Sequence, residues 1–397
     1  MHRGTVRSGI GPAASHEGDG GARTLTFPAF NTDIHLHAYA SDGQDAADPA
    51  VRARLDAALA ACRGRCWHFE RLFSRTRPDS DIARAHAASP GPVPVAPETA
   101  ELVELALGYC ARSEGFLDIT MGTVTSLWDF HRGVVPSRLA LSRALAHVGY
   151  GKVRVTRSDA RAGATAHGAG VAEGGGACAS SGCWAEGKER AASGPDGSAA
   201  GNAACALAID DPATILDLGG VAKGYIADDL AALLEAAGVQ RFALNLGGNV
   251  LVRGGRPRGV DGGAIVPEGL PWRIGIADPF DSSRTCAVVE LADGSVATSG
   301  ARERRFSRGG TTYHHILSPV DGMPAKTDVA SASIVAARSM DCDGYSTTVF
   351  MMGAEHGLAF AEEIAGVDAV VVTEAGEVRW TSGLDGRLAL SSHRPLR

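Results

Sequence analysis

Asp217 and Lys223 bracket the turn Asp217-Leu218-Gly219-Gly220-Val221-Ala222-Lys223, which places a carboxylate, two glycines and a cation close together. An apolar run, Ala213 to Leu216, precedes it, and a helix-period run, Tyr225 to Leu234, follows. The segment reads as strand, Gly-rich turn and helix. Such a turn leaves backbone N–H and C=O groups free near a helix N-terminus, a setting that favours anions. An acceptor and a cation on the same turn suit a phosphorylated ligand accompanied by a metal. A plain chain reversal with a surface ion pair is the competing reading. The turn matches neither the phosphate-loop nor the dinucleotide spacing.

Asp343 and Thr347 form a second constellation. They stand four apart at the start of a predicted helix, Asp343–Met352, so both oxygens share one face. A carboxylate plus a hydroxyl is half of a hard-cation site, which Mg²⁺ completes with waters, backbone oxygen and substrate phosphate. An N-terminal cap with an outward Thr is the alternative. His314 and His315 precede the apolar pair Ile316-Leu317 and a Ser-Pro turn. An imidazole there serves as a general base for a hydroxyl or helps to settle phosphate charge, and chemistry alone does not separate the two histidines. Ser299, in Thr298-Ser299-Gly300, is expected in a turn that offers a hydroxyl and an N–H. Trp128 is expected in the core.

Read with their neighbours, these segments fall into an ordered set. Gly115-Phe116-Leu117-Asp118 leads to Ser126-Leu127-Trp128-Asp129-Phe130. The Asp217 turn and Asn245-Leu246-Gly247-Gly248-Asn249 follow, then Thr298-Ser299-Gly300, His315-Ile316-Leu317-Ser318-Pro319 and Asp343-Gly344-Tyr345-Ser346-Thr347. In this order the chain resembles the ApbE family of FAD:protein FMN transferases, from about Thr24 to about Ser382. The resemblance implies Mg²⁺-dependent transfer of FMN from FAD to a Ser or Thr hydroxyl of an acceptor protein, with release of AMP. It implies metal ligation by Asp343, Thr347 and a backbone oxygen near Gly220, with Asp341 behind them. It implies FAD contacts from Phe116, Leu117, Asp118, Asp217, Lys223, Ser299, His315 and Leu317. His315, chosen by motif register, Lys223 and Asp343 become the expected catalytic residues. Leu117 stands where the family pattern has Phe, Phe30-Asn31-Thr32 where many members have Met-Gly-Thr, Thr76 where an aromatic is common, and Ser318 where one form has Asp. Two other functions share these residues: an FAD pyrophosphatase that uses water as acceptor, and a non-catalytic flavin-nucleotide binding module.

The elements around these residues read as α+β. Helical spacing runs through Val51, Leu55, Leu59, Cys62, Cys66 and Phe69, and further helices are expected over Pro97–Ala111, Ser137–His147 and Ala354–Ile364. Strands are expected within Thr24–Tyr39 and at Lys152–Thr156, Ala204–Ile209, Phe242–Leu246, Trp272–Ala277, Ala287–Leu291, Thr312–Leu317, Ser331–Ala337, Ala369–Thr373 and Glu377–Trp380. Strands that follow one another without intervening helices argue against a doubly wound parallel sheet. The resemblance implies mixed or antiparallel sheets with packed helices and a flavin nucleotide in a cleft between layers. One domain is expected over 23–385, with tails at 1–22 and 386–397. A Gly-, Ala- and Ser-rich insertion over 157–203 lacks the aliphatic residues to offset its ordering entropy.

Composition sets the outer limits. The chain has 397 residues, 45% hydrophobic and 21% charged, which describes a globular protein. A net charge of −7 and the lack of basic runs speak against nucleic-acid binding. No apolar stretch approaches the roughly 20 residues of a membrane span. Met1 to Ala22 has no apolar secretory core, so the chain as written is expected to be cytoplasmic, or exported if its start is missing. Eight cysteines are spaced too irregularly for a disulfide scaffold; Cys62 and Cys66, four apart on a predicted helix, are expected as buried free thiols rather than metal ligands, and Cys178 and Cys183 lie in low-complexity sequence without a second ligand pair.

Overall fold

The computed structural model of the protein describes residues 22–41, 44–158, 204–257, 259–261, 264–266, 269–302 and 304–391. Residues 1–21 of the N-terminal tail expected over 1–22, almost all of the 157–203 insertion, Cys178 and Cys183 lie outside the described residues; Ala22 itself opens the first strand. In chain order the first elements are β1 (Ala22–Ala29), β2 (Thr32–Tyr39), α1 (Pro49–Phe73), α2 (Asp81–Ala88), β3 (Val93–Val95), α3 (Pro97–Arg112), α4 (Gly122–Thr125), α5 (Arg138–Leu145), β4 (Val153–Arg157), β5 (Cys205–Ile209) and α6 (Ala222–Ala236). The strand-rich second half continues with β6 (Arg241–Leu246), β7 (Asn249–Arg253), β8 (Gly259–Asp261), β9 (Ala264–Val266), β10 (Trp272–Asp278), β11 (Asp281–Leu291), β12 (Gly294–Gly300), β13 (Arg305–Arg308), β14 (Thr311–His314) and β15 (Val329–Ala336). It closes with α7 (Ser339–Met352), α8 (Ala354–Glu362), β16 (Val367–Thr373), β17 (Val378–Trp380) and β18 (Leu388–Leu390).

An eight-stranded sheet in the order β1-β2-β6-β7-β12-β15-β16-β17 forms the frame, and every pairing in it is antiparallel. Its residues alternate between two cores, as the period-2 geometry of a strand requires. Leu251, Ile334 and Val371 face the larger core, shared with Leu55, Cys62 and Phe69 of α1, Leu230 of α6 and Val349 of α7. Val250, Val252, Val335 and Val370 face a second core, closed by Ile274, Ile276, Cys286 and Val289 of the three-stranded sheet β10-β11-β18. The fold is therefore α+β, with helices on one face of the main sheet and a small sheet on the other. A third cluster, Val124, Trp128, Leu141 and Leu317, stands apart, with Phe130, Phe306 and Tyr313 packed on it. Trp128 is core, as expected.

Several local expectations change in the structure. Thr24–Tyr39 is a hairpin of β1 and β2, because Phe30 and Asn31 both take positive φ (53° and 59°), as a two-residue turn between twisted strands requires. Ala213–Leu216 is no strand; it contributes only a parallel bridge from Ile215 to Met121. The strand expected to reach Leu317 ends at His314. Residues 388–390, assigned to a tail, pair with β11. The described cysteines, Cys62, Cys66, Cys110, Cys205, Cys286 and Cys342, are free and buried. Strands β4 and β5 bring the two ends of the insertion together, with Arg157 opposite Cys205.

Candidate functional site

The site is built where α6 meets α7 under the main sheet. Close approach of these helices needs Gly224, since a Cβ there would lie 2.5 Å from the Ser339 carbonyl oxygen and 2.6 Å from the Met340 Cα. The α7 helix begins four residues before the expected start. Its own N-terminus has no side-chain cap. Asp228 of α6 does that work, accepting from the Ser339 N–H (2.7 Å) and the Met340 N–H (3.0 Å). Burial pushes the Asp228 carboxyl up to about 6, against the pull of those two donors.

Asp343 is consequently an interior residue of α7, and the N-cap reading of it is set aside. It is buried. Its Oδ2 accepts from the Gly224 N–H (2.7 Å) and its Oδ1 from the Asn249 Nδ2 (2.9 Å). Burial raises the Asp343 pKa, while the nearby Lys223 charge, Asn249 and the Gly224 N–H favour the ionised form. Asn249 is held in turn. The Ser339 hydroxyl donates to its Oδ1 at 2.5 Å, and the Ser295 hydroxyl stands 3.0 Å from Ser339 and donates to the Val250 carbonyl (2.8 Å). One turn along α7, the Thr347 hydroxyl lies 3.0 Å from the Ser299 Oγ, which is 2.9 Å from the Ser346 Oγ. Ser299 is part of β12 and not of a turn; the strand aims its hydroxyl at α7. Asp341 accepts from the Tyr109 hydroxyl, which leaves it in a structural role.

The Asp217 turn reaches this place through long-range bonds. The Asp217 N–H donates to the Ile119 carbonyl (2.7 Å), and Leu216 N–H to His86 Nε2 (2.8 Å). The Asp217 carboxylate caps the Gly219 N–H (3.0 Å) and pairs with Arg75 at 3.3 Å. Gly220 is exposed, and a Cβ on it would come within 3.9 Å of Leu117, so the 116–118 segment lines the turn. Within that segment the roles divide. Phe116 is exposed and Leu117 is buried in the main core. Both oxygens of Asp118 are spent inside the protein: Oδ1 accepts from the Thr120 N–H (2.8 Å) and hydroxyl (2.6 Å), and Oδ2 from the Tyr150 N–H (3.0 Å). The Leu317 side chain packs in the third cluster.

The two histidines now separate. His314 Nε2 donates to the Ala325 carbonyl (3.2 Å), and its ring meets Phe350 edge-on. Both rings keep a buried Nδ1 with no hydrogen-bond partner among the described residues, so what separates them is the bonded Nε2 of His314. Burial pushes His315 down to about 4, helped by the charge of Arg304 and, further down the order, of His314 and Lys223. It is therefore neutral at pH 7. The Lys223 charge favours the ionised form of Asp343 and the neutral form of His315, and the Gly224 N–H on Asp343 joins the turn to α7.

The donor set is hard. One carboxylate, the hydroxyls of Thr347, Ser299 and Ser346 and an exposed glycine backbone suit Mg²⁺. No group of three or more His, Cys, Asp or Glu residues stands ready for a metal among the described residues. Asn249, Ser295, Asp228 and Arg75 escaped sequence reasoning. Asn249 alone carried a signal, in the Asn-Leu-Gly-Gly-Asn run.

An α+β fold of this kind is shared with solved proteins. The ApbE protein of Thermotoga maritima superposes with a TM-score of 0.69 at 23% identity, over 92% of this chain and 99% of that one. The flavin transferase ApbE of Vibrio cholerae gives 0.66 at 23% identity, over 92% and 99%. In sequence, the FAD:protein FMN transferase of Treponema pallidum is 33% identical over 329 residues, 82% of this chain and 79% of that protein. A Klebsiella pneumoniae FAD:protein FMN transferase is 28% identical over 334 residues, 83% and 78%. Residues 30–371 match the ApbE family, and the chain belongs to that family.

Proposed function

We propose that this protein is an enzyme that transfers the FMN moiety of FAD to an acceptor protein, the activity named for its Treponema and Klebsiella relatives. The observation that carries the reading is the buried Asp343 carboxylate held by the Gly224 N–H directly after Lys223, with a neutral His315 whose charged form Lys223 disfavours. The finer assignment is Mg²⁺ dependence, a Ser or Thr hydroxyl as acceptor, and AMP as leaving group. Asp343, Thr347 and the Gly220 carbonyl would hold Mg²⁺, which would neutralise pyrophosphate charge. The acceptor oxygen attacks the FMN phosphorus, and the bond from that phosphorus to the bridging oxygen breaks. AMP departs with the bridging oxygen. His315, uncharged at neutral pH, takes the hydroxyl proton. Lys223 offsets charge that develops on the phosphoryl oxygens. Asn249 and the Gly224 N–H hold the Asp343 carboxylate in one orientation. Asp217 and Arg75 brace the turn, and Phe116 offers an exposed ring to the nucleotide.

Incubation with FAD, Mg²⁺ and a Thr-containing acceptor, followed by chromatography and mass spectrometry, tests this. Stoichiometric AMP and an acceptor heavier by one FMN phosphoryl unit are expected. Free FMN in place of labelled acceptor would make the protein an FAD pyrophosphatase, and FAD binding without any turnover would make it a binding module.

A further inference from the structure

The third cluster carries a surface that the reaction does not use. Strands β13 and β14 form a two-stranded hairpin. Phe306 and Tyr313 stack at 5.3 Å across it, Phe130 meets Phe306 at 5.8 Å, and Trp128 stacks on Phe130 at 5.5 Å. The neighbouring loop turns against this face at Gly133, whose φ of 68° is a backbone state that favours glycine. Between hairpin and loop is an open cleft of about 560 Å³ lined by His131, Arg132, Val134, Phe306 and Arg308. Residues 126–145 and 304–325 together hold six arginines and two aspartates, in a chain of net charge −7. Arg132 is exposed and meets Asp129 only at 3.7 Å. Arg305 and Arg308 are exposed and have no acidic partner among the described residues. Apolar groups lie between the cations: Val134 is 42% exposed and Val320, on the turn that packs under Trp128, 85%. The surface runs directly into the reaction site, since Arg305 is the register partner of His314 and the His315 N–H donates to the Arg304 carbonyl at 3.1 Å.

We infer that the β13–β14 hairpin and the 129–134 loop form the docking surface for the acceptor protein, which presents an acidic segment with apolar residues beside its modified hydroxyl. The inference rests on the transferase reading. Arg305 and Arg308, with the loosely paired Arg132, stand beside an aromatic wall and favour carboxylates over a neutral or basic chain. In a protein that is acidic overall, a local positive field also guides an acidic partner to this face and away from others. Binding here delivers the partner's hydroxyl toward His315, at the end of β14.

The test uses two fluorescent peptides with one Thr each, flanked by Asp and Glu in the first and by Lys in the second, and the full-length protein. The acidic peptide should bind, weaken as salt rises, and lose affinity by on the order of tenfold or more in R132E/R305E/R308E. The Lys-flanked peptide should not bind the wild type. FAD affinity by calorimetry, and AMP formed from FAD with Mg²⁺, are measured on the same variant and should stay at wild-type values. Binding of neither peptide, equal binding of both, or full affinity in the variant overturns the docking surface. A drop in FAD affinity in the variant also overturns it, by giving these arginines to the nucleotide. The transferase reading fails separately, through an absence of AMP from wild-type protein.

Discussion

At the scale of single residues, two groups dominate. Asp343 is the one carboxylate among the hydroxyls of Thr347, Ser299 and Ser346, so Asp343→Ala should cut AMP release from FAD on the order of a hundredfold or more. Thr347→Ala should be milder and better rescued by excess Mg²⁺, because a water can replace a neutral hydroxyl; Mg²⁺ titrations of both variants check the order. Asn249→Ala removes a donor from a buried carboxylate and the acceptor of the Ser339 hydroxyl, at a cost of about 1–3 kcal/mol, readable as a lower urea midpoint. His315 sets a pH signature. Its folded pKa, about 4, lies below the ordinary 6.5. It therefore contributes stability that is present above pH 6.5 and lost as pH falls toward 4. His315→Gln should remove that loss in urea titrations across this window and should also depress transfer at pH 7. Motif register singled out His315, Lys223 and Asp343 in the sequence. It did not reveal that Asn249 orients Asp343 or that both Asp118 oxygens are taken. Those facts depend on partners 94 and 32 residues away, and no local spacing encodes them.

At the scale of elements, the junction of α6 and α7 decides whether the site exists. Gly224→Ala puts a methyl group against the Ser339 carbonyl, with overpacking of about 1–3 kcal/mol expected. The same shift moves the Gly224 N–H off Asp343, so the melting temperature and the turnover should fall together. Asp228 works on the same junction with the opposite pH sign to His315. Its pKa is raised from 3.8 to about 6, so its contribution is full below pH 3.8 and lost as pH rises through 6. Asp228→Asn should flatten that part of the pH–stability curve, measured by thermal melts from acid to neutral pH. Helix spacing was legible for α1, α3 and α5, because each buries one face. The start of α7 was not, because its cap is supplied by another helix. The Phe30–Asn31 turn was hidden for a different reason: neither residue is a glycine, so the composition of the hairpin gave no break.

At the scale of the whole molecule, the sequence indicated the class of fold but not the strand order. Pairings such as β2 with β6 join strands about two hundred residues apart, from His35 to Asn245, and the periodicity of either strand is silent on its neighbour. The insertion was visible as a compositional change, and the pairing of β4 with β5 places its ends side by side. Replacing residues 161–201 by a short turn should therefore leave AMP release intact. Stability should shift by no more than about 2 kcal/mol, since loop-closure entropy grows slowly with length. A large loss of either, read by turnover and urea unfolding, would give the segment a role in folding or in catalysis.

The separate standing of the third cluster has a kinetic meaning. Asp343, Thr347 and Lys223 hang on helices rooted in the main core, and His315 stands between two supports: the hairpin on the Trp128–Tyr313 group before it and Ile316, buried in the main core, after it. Small cooperative units with little buried area open at lower free energy than the global transition. In hydrogen exchange, the amides of Phe306 and Tyr313 should trade with solvent well before those of Leu251 and Ile334. The hairpin would then open and close on its own schedule, while the imidazole is held from the Ile316 side and the carboxylate and lysine stay in place.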